Sequence, residues 1–388
     1  MANKKIKKNW QMKKVLFIST RNPYSGRYSG DVIRSLKIIN LLKKKLHVDT
    51  VCLSKEGFED SGKNLVTFKL PNIFLKAIYC IISFLKFEPI QLGLFFSKEM
   101  KMHIENNCYE YDYLFFYHVR SSQYFPKNFL GKKILEMGDL YSENYDQSFK
   151  YLNIFNPLKY LYFFESYFMK RLENKIFSNF DRIILFSKKE VNKINKKFKN
   201  RIFQIDESVE KVKSKYTFSK KNNKILFVGN LNYLPNLLAC RYFVFKVFPI
   251  IKKDLPGIKF VVIGNISLIN KFLLSKPDVE ILGPQRNIHP YIKKCFCGLA
   301  NLEIATGVQG KVVTYMSFGL PVLCSKKVAQ NFGANVISYS DSSEFRKKII
   351  DLKINRKLAS KFSKKSIAFT KKLDWKKMSQ KYFRLLKF

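Results

Sequence analysis

The chain has 388 residues, 46% of them hydrophobic and 15% aromatic. That length carries about two domains, each with a core large enough to fold without disulfides or metal, which excludes stapled mini-scaffolds as well as disordered and fibrous proteins. The formal charge is +43, but only 12 of the 72 basic residues are arginine; with no zinc-finger, helix-turn-helix or RNA-recognition signature, the charge points to acidic lipid headgroups and away from nucleic acid.

In chain order, the basic N-terminus leads into an apolar run, residues 15–18, far shorter than a signal-peptide core, so no secretion is expected. Residues 14–20 (KVLFIST) form a nearly continuous apolar run and predict a strand buried on both faces. A helix over 31–45 follows, with apolar residues near a 3.6 period, and then a strand over 47–53. This β–loop–α–β unit predicts a doubly wound parallel sheet. The run 74–87 (FLKAIYCIISFLKF) is too short to span a bilayer and holds two lysines, so it is expected to be a helix that is buried or lies on a membrane. Further strands are predicted at 113–117, 133–136 and 181–186, with a long helix over 157–178.

A polar stretch within 209–223 lacks apolar periodicity and is expected to link two domains, 1–208 and 224–365. Beyond it the pattern restarts. Strands are predicted at 224–228, 259–263, 279–282, 298–301 and 321–325, with helices over 237–251, 288–294 and 307–319. The tail is lysine-rich and helical, and the helix over 366–388, which contains Trp375, is expected to cross back onto the first domain. The seven cysteines are scattered through apolar runs and read as reduced core residues; Cys295 and Cys297 are too close and too solitary for a metal site.

Ligands of such sheets bind at strand carboxyl ends, which directs attention to Gly229, Gly264 and Gly283. The stretch 301–325 (NLEIATGVQGKVVTYMSFGLPVLCS) is more specific. Thr306, Gly307, Val308, Gln309 and Gly310 can present backbone N–H groups at the start of a helix, a seat for phosphate, with Lys311 as an added charge. In the first half, Gly30 and Asp31 open a helix with Arg34 one turn on, and His118 and Arg120 follow a strand; each of these also has an ordinary structural reading, Asp31 as a helix cap among them.

The 301–325 stretch resembles the donor-binding signature of family 4 glycosyltransferases, retaining enzymes of GT-B fold that use sugar nucleotides. GDVIR (30–34), ILFVGNLNYLPNLLACRYF (225–243), VEILGPQRNIHPYI (279–292) and the late Trp375 fall in the family's order, and the tracts 87–97, EMGDLYSENY and 165–187 are similar to members that build bacterial surface polysaccharides. The resemblance implies two doubly wound, Rossmann-like domains, a nucleotide-sugar donor on the second, a glycan or glycolipid acceptor facing the first, no cofactor and no metal. It implies a peripheral protein at the inner, cytoplasmic face of a membrane. Donor contacts would come from Gly229, Asn230, Gly264, Arg286 and the loop 306–310, with Thr306 and Thr314 where the family has glutamates. Asp139 would take the strand end usually held by a histidine, joining His118 and Lys311 as candidate catalytic groups, and Gly30, Asp31, Arg34 and Arg120 would face the acceptor. Two other readings stay open: a degenerate GT-B protein that binds without transfer, and a GT-B sugar-nucleotide epimerase.

Overall fold

A computed structural model describes residues 12–26, 29–56, 59–60, 64–209, 212 and 216–386. The basic N-terminal residues 1–11 and parts of the expected linker (210–211 and 213–215) lie outside the described residues. The chain groups into two compact units. The first takes the chain up to Met137 with Arg171–Ile184 and Lys197–Ile202; the second takes Gly138–Lys170, Leu185–Lys196 and Phe203–Phe388.

The first half runs β1 (Lys14–Ser19), α1 (Gly30–Leu42), β2 (His47–Ser54), β3 (Glu59–Asp60), β4 (Leu65–Lys69), α2 (Ile73–Leu85), α3 (Ile90–Gly93), α4 (Lys98–Asn107), β5 (Tyr113–Tyr117), β6 (Lys132–Gly138), α5 (Tyr141–Tyr151), α6 (Pro157–Asn179), β7 (Arg182–Leu185), α7 (Lys188–Lys193) and β8 (Ile202–Gln204). Its eight-stranded sheet has the order β3-β4-β2-β1-β5-β6-β7-β8. The pairs β4–β2, β2–β1, β1–β5 and β5–β6 are parallel, and the two-residue β3 is antiparallel. β1 and β5 are buried throughout nearly their whole length, as continuous apolar runs demand of a sheet covered on both faces. Helix α1 buries Val32, Ser35, Ile38, Ile39 and Leu42, the stripe that its 3.6 period foretold.

The second half runs β9 (Lys224–Val228), α8 (Leu234–Tyr242), α9 (Phe248–Asp254), β10 (Lys259–Ile263), α10 (Leu268–Leu274), β11 (Val279–Leu282), α11 (His289–Ile292), β12 (Cys295–Ala300), α12 (Gly310–Ser317), β13 (Val322–Ser325), α13 (Lys326–Ala329), β14 (Ile337–Tyr339), α14 (Ser342–Ile354), α15 (Arg356–Thr370) and α16 (Trp375–Leu385). In its six-stranded sheet, β11-β10-β9-β12-β13-β14, neighbouring strands pair in parallel. Helix α16 groups with this unit, where Lys381 pairs with Asp206 and the backbone of Asp374 bridges to Val209.

The structure adds strands β3, β4, β8 and β14, which the sequence pattern did not separate from loops because each is short or only half apolar. The predicted helix 237–251 begins three residues earlier, with Pro235 in its first turn. A π-helical turn, Phe243–Val247, interrupts it just before Pro249, whose missing N–H cannot continue an α ladder. The combined run Leu234–Asp254 is, among the described residues, the one helix long and apolar enough to cross a membrane; half of its apolar window is buried, with Cys240, Phe243 and Ile251 in the core of the second unit. None of the seven cysteines is in a disulfide; burial pushes the thiols of Cys52, Cys295 and Cys324 up to about 12.

Candidate functional site

In the second sheet β9 lies between β10 and β12, so the order of the strands reverses there. That switch point is where open parallel sheets bind ligands. Two segments end at it: Gly229–Asn230 after β9, and the loop 301–309 that leads from β12 into α12. Lys311, in the first turn of α12, donates from Nζ to Asn236 Oδ1 at 2.6 Å and lies 4.0 Å from the centre of the Phe227 ring. Asn236 in turn donates from Nδ2 to the Asn230 carbonyl at 2.9 Å. The ammonium is thus held against the end of β9 by one neutral amide and one ring face, and burial lowers its pKa to about 7.

The chain's own packing requires glycine at Gly264 and crowds Gly229 with side-chain ends. A β-carbon on Gly229 would stand 2.9 Å from Asn236 Nδ2 and 3.1 Å from Lys311 Nζ, and one on Gly264, at φ +148°, would overlap the Gly229 carbonyl oxygen. Gly283 and Gly310 have open space around them.

The loop itself is held by residues from much earlier in the chain and by Asn331 after it. Asn144 Nδ2 donates to Thr306 Oγ1 at 3.2 Å, and the Ala305 N–H donates to Gln147 Oε1 at 3.1 Å. Asn331 Nδ2 donates to the Gly307 carbonyl at 2.5 Å, and Ser187 Oγ donates to Asn331 Oδ1 at 3.0 Å. Gly307 has φ +60°, and a β-carbon there would overlap the carboxylate of Asp139. Burial raises the pKa of the Tyr233 hydroxyl; a hydrogen bond to Asn144 opposes the rise, and the nearby Asp139 charge adds to it, which places Tyr233 beside the same loop. Gln309 caps α12 by position, its Nε2 donating to the Thr306 carbonyl at 2.9 Å. Thr314 spends its hydroxyl inside the helix, donating to the Gly310 carbonyl at 2.9 Å. Val308 is half-buried, and Arg286 is exposed on the stretch that follows β11.

The first sheet has its own switch at β1, which lies between β2 and β5. A small cleft there is lined by Arg21, Asp31, His118 and Arg120 among others. Arg21 pairs with Asp31, and Tyr117 donates its hydroxyl to the Asp31 carbonyl at 2.9 Å. Burial alone would raise the Asp31 carboxyl, but Arg21, a hydrogen bond from Ser29 and His118 together hold it below the usual range. Ser29 occupies the cap position of α1, so Asp31 sits inside the first turn, one residue after Gly30. The His118 backbone, at φ 72° and ψ 147°, occupies a region that residues other than glycine rarely enter. Its imidazole is held well below the ordinary pKa, first by burial and then by Arg120 and Arg21, against the opposing pull of Asp31. Arg120 donates to Gln91 Oε1 at 2.8 Å and lies 4.6 Å from the Phe95 ring centre.

Within the second unit, then, the sequence-predicted residues Asp139, Thr306 and Gly307 meet at one loop, while Gly229, Asn230, Gly264 and Lys311 meet at the end of β9. In the first unit Asp31, His118 and Arg120 share a cleft. Arg34 is apart from them: it is 6% exposed, and its Nε donates at 2.6 Å to Glu136, itself 1% exposed. Sequence reasoning missed Asn236, Phe227, Asn144, Asn331 and Arg21. The best available signal was Asn236, an amide in the first helical turn after a glycine strand end.

Residues 222–355 match the family model described as Glycosyl transferases group 1. This stretch is similar to a group 1 glycosyltransferase domain. It contains Gly229, Asn236, the loop 301–309 and Lys311. Solved structures extend the likeness to nearly the whole chain. Anabaena HepE in complex with UDP and glucose aligns over 97% of this chain and 100% of its own, with a TM-score of 0.64 at 12% identity. An S. aureus TarM variant in complex with fondaparinux, α-GlcNAc-glycerol and UDP aligns over 96% and 99%, at 0.65 and 10%. An α,α-trehalose-phosphate synthase (UDP-forming) from Burkholderia xenovorans aligns over 97% and 100%, at 0.65 and 9%. The fold is GT-B. In sequence, the chain is 26% identical over 267 residues to an uncharacterized 44.6 kDa protein in the cps region of Klebsiella pneumoniae; the match covers 66% of this chain and 65% of that protein's length.

Proposed function

We propose that the protein is a retaining, family 4 glycosyltransferase that moves a sugar from a nucleotide donor to a glycan acceptor carried on a lipid, in cell-surface polysaccharide synthesis. The observation that carries this reading is the position of Lys311: a lysine ammonium at the carboxyl ends of the glycosyltransferase domain's strands, beside a glycine loop that opens a helix. Such an arrangement meets a leaving diphosphate with a cation and a helix N-terminus, and asks for no metal. The UDP complexes of HepE and TarM make UDP-sugars the first donors to try. The sugar would leave the donor near Asp139, which abuts Gly307 in the loop. The acceptor would meet the first unit at the His118 cleft, a reading supported by the strained His118 backbone.

The Klebsiella relative from a cps region supports the polysaccharide role. Reversible attachment to the inner face of the membrane is part of the same proposal, supported by the net charge of +43 and by the exposed apolar residues of α2. A second reading is favoured by one observation: the hydroxyls of Thr306 and Thr314, which stand where the family has glutamates, already have partners in Asn144 and the Gly310 carbonyl. On that reading the protein binds a sugar nucleotide without transfer.

A thermal-shift screen over UDP-, GDP-, dTDP- and ADP-sugars finds the donor, since a ligand at 100 times its Kd stabilises by about 2.7 kcal/mol. Turnover of that donor with and without a glycan acceptor then separates the readings. Acceptor-dependent release of nucleotide supports transfer, binding without release supports the second reading, and no stabilisation by any donor overturns both.

A further inference from the structure

A cavity of about 450 Å³ in the first unit belongs to neither switch point. It lies among the helices, lined by α2, α3, α4 and the end of α6, and by residues 122–127, which lead toward the start of β6. Its volume is in the range of pockets that hold small organic ligands.

Its walls have two chemistries. Leu92, Phe96, Phe125, Ile176 and Phe180 make an apolar floor, stiffened by ring packing: Phe125 and Phe180 lie 5.2 Å apart, and Phe96 meets Tyr79 edge-on at 4.9 Å. Four lysines, Lys86, Lys101, Lys127 and Lys175, share the lining with a single acid, Glu88. None of the four forms an ion pair among the described residues, and Lys86, Lys127 and Lys175 are exposed, which sets their ammonium groups at the mouth. An apolar interior with a mouth of net positive charge matches a molecule with an aliphatic chain and an anionic head.

Helix α2 carries the second observation. Its Tyr79, Ile82 and Ser83 line the cavity, while Ile73 (87% exposed), Phe74, Ile81 and Leu85 (69%) stand in solvent beside it. Isolated exposed apolar residues are ordinary, but a contiguous face of this size on one helix marks an interaction surface. A helix of this kind suits the interface between headgroups and acyl chains.

We propose that this cavity binds a membrane lipid with an anionic phosphate headgroup, taking one aliphatic chain onto the aromatic floor and the phosphate between the lysines, with α2 lying in the headgroup layer. The site is independent of the transfer reaction and would hold the protein at the bilayer whether or not a donor is bound.

The test uses the full chain and a short-chain phosphatidic acid below its micellar concentration, with binding measured by calorimetry. Phosphatidylcholine of the same chain length and inorganic phosphate are the comparison ligands. The variants are Ser83→Trp, which fills the cavity from α2, and the triple Lys86→Gln/Lys127→Gln/Lys175→Gln. The control triple, Lys357→Gln/Lys361→Gln/Lys364→Gln, removes the same charge from exposed positions on α15.

The expected result is that phosphatidic acid binds, that the cavity triple weakens it about tenfold or more while the control triple does not, and that inorganic phosphate fails to displace it. Hydrogen exchange should slow across residues 79–96 on adding the lipid, a readout that needs no variant to fold. Equal losses from the two triples would assign binding to net charge. Displacement by inorganic phosphate would reduce the site to a phosphate site, and unchanged affinity in a folded Ser83→Trp would place the chain elsewhere. Each of these, or no binding at all, overturns the proposal.

Discussion

The carboxylate of Asp139 occupies the space that a β-carbon on Gly307 would need. The glycine is therefore fixed twice, by its φ of +60° and by Asp139, before any ligand is considered. Gly307→Ala is expected to destabilise by about 1–2 kcal/mol from backbone strain, and by more from the clash. In an Asp139→Ala background only the strain remains. Urea unfolding of the two single variants and the double should give a coupling above about 0.5 kcal/mol; simple additivity would mean that the two residues do not touch.

Lys311 sets a pH dependence. Its folded-state pKa, near 7, lies below the ordinary lysine value, so the ammonium is lost as pH rises through about 7 in the free protein. A diphosphate favours the charged form. Donor affinity is expected to fall as pH rises above 7 and to level off about tenfold lower, with protons taken up on binding. Calorimetry in two buffers of different ionisation enthalpy measures that uptake, and a flat profile from pH 6 to 9 would exclude Lys311 from the donor site. Lys311→Ala should raise the donor Kd about tenfold, equivalent to 1.4 kcal/mol.

Thr314 should matter little as it stands. Its hydroxyl bonds within α12, so Thr314→Ala is expected to change donor affinity by less than about threefold, whereas Thr314→Glu supplies a charged acceptor and should tighten binding. Calorimetry against one donor compares them, and a large loss in Thr314→Ala would show that the hydroxyl turns toward the ligand.

Arg34 and Glu136 form a buried ion pair, and its role is expected to be structural. Arg34→Met leaves Glu136 charged and enclosed, an expected cost of about 3–5 kcal/mol, and the double variant Arg34→Met/Glu136→Leu should recover most of it. Denaturant midpoints of the three proteins decide this; a normal midpoint for Arg34→Met would return Arg34 to the acceptor side.

His118 offers a test of strain. Its backbone geometry costs about 1–3 kcal/mol in any residue but glycine. His118→Gly and His118→Ala both lose the ring, so the difference between their unfolding free energies isolates the strain, with glycine the more stable. Both should lower turnover if the imidazole serves the reaction. Loss of stability without loss of turnover would make His118 a structural residue.

The strand framework was legible because buried parallel strands are written as uninterrupted apolar runs: KVLFI, YLFFY, KILFV and KFVVI each fall where a strand stands. Strand β4, by contrast, is half-buried at Leu65 and Val66 and ends in an exposed lysine, a pattern shared with many loops. The loop 301–309 was legible through Gly307 and through Gly310 and Lys311, which follow it at the start of α12. What holds it was not: Asn144, Gln147 and Asn331 are neutral amides with no periodicity to betray them, and they act at a distance in sequence that no local pattern spans. The strand-end glycines were visible, but their cause was not, since the close approach at Gly229 and Gly264 is made by the chain itself.

The loop's dependence on that early segment has a consequence in time. Gln147 precedes its partner Ala305 by 158 residues, and at about 5–20 residues per second the ribosome needs roughly 8–30 s to deliver one after the other. Once α6 (Pro157–Asn179) has also been made, α5 and α6 spend most of that interval with Tyr145, Phe149 and Phe163 present but nothing yet made to bond Gln147. The nascent chain must keep this aromatic pair of helices from sticking to itself or to its neighbours, and a chaperone that binds exposed aromatic helices is expected to meet it there.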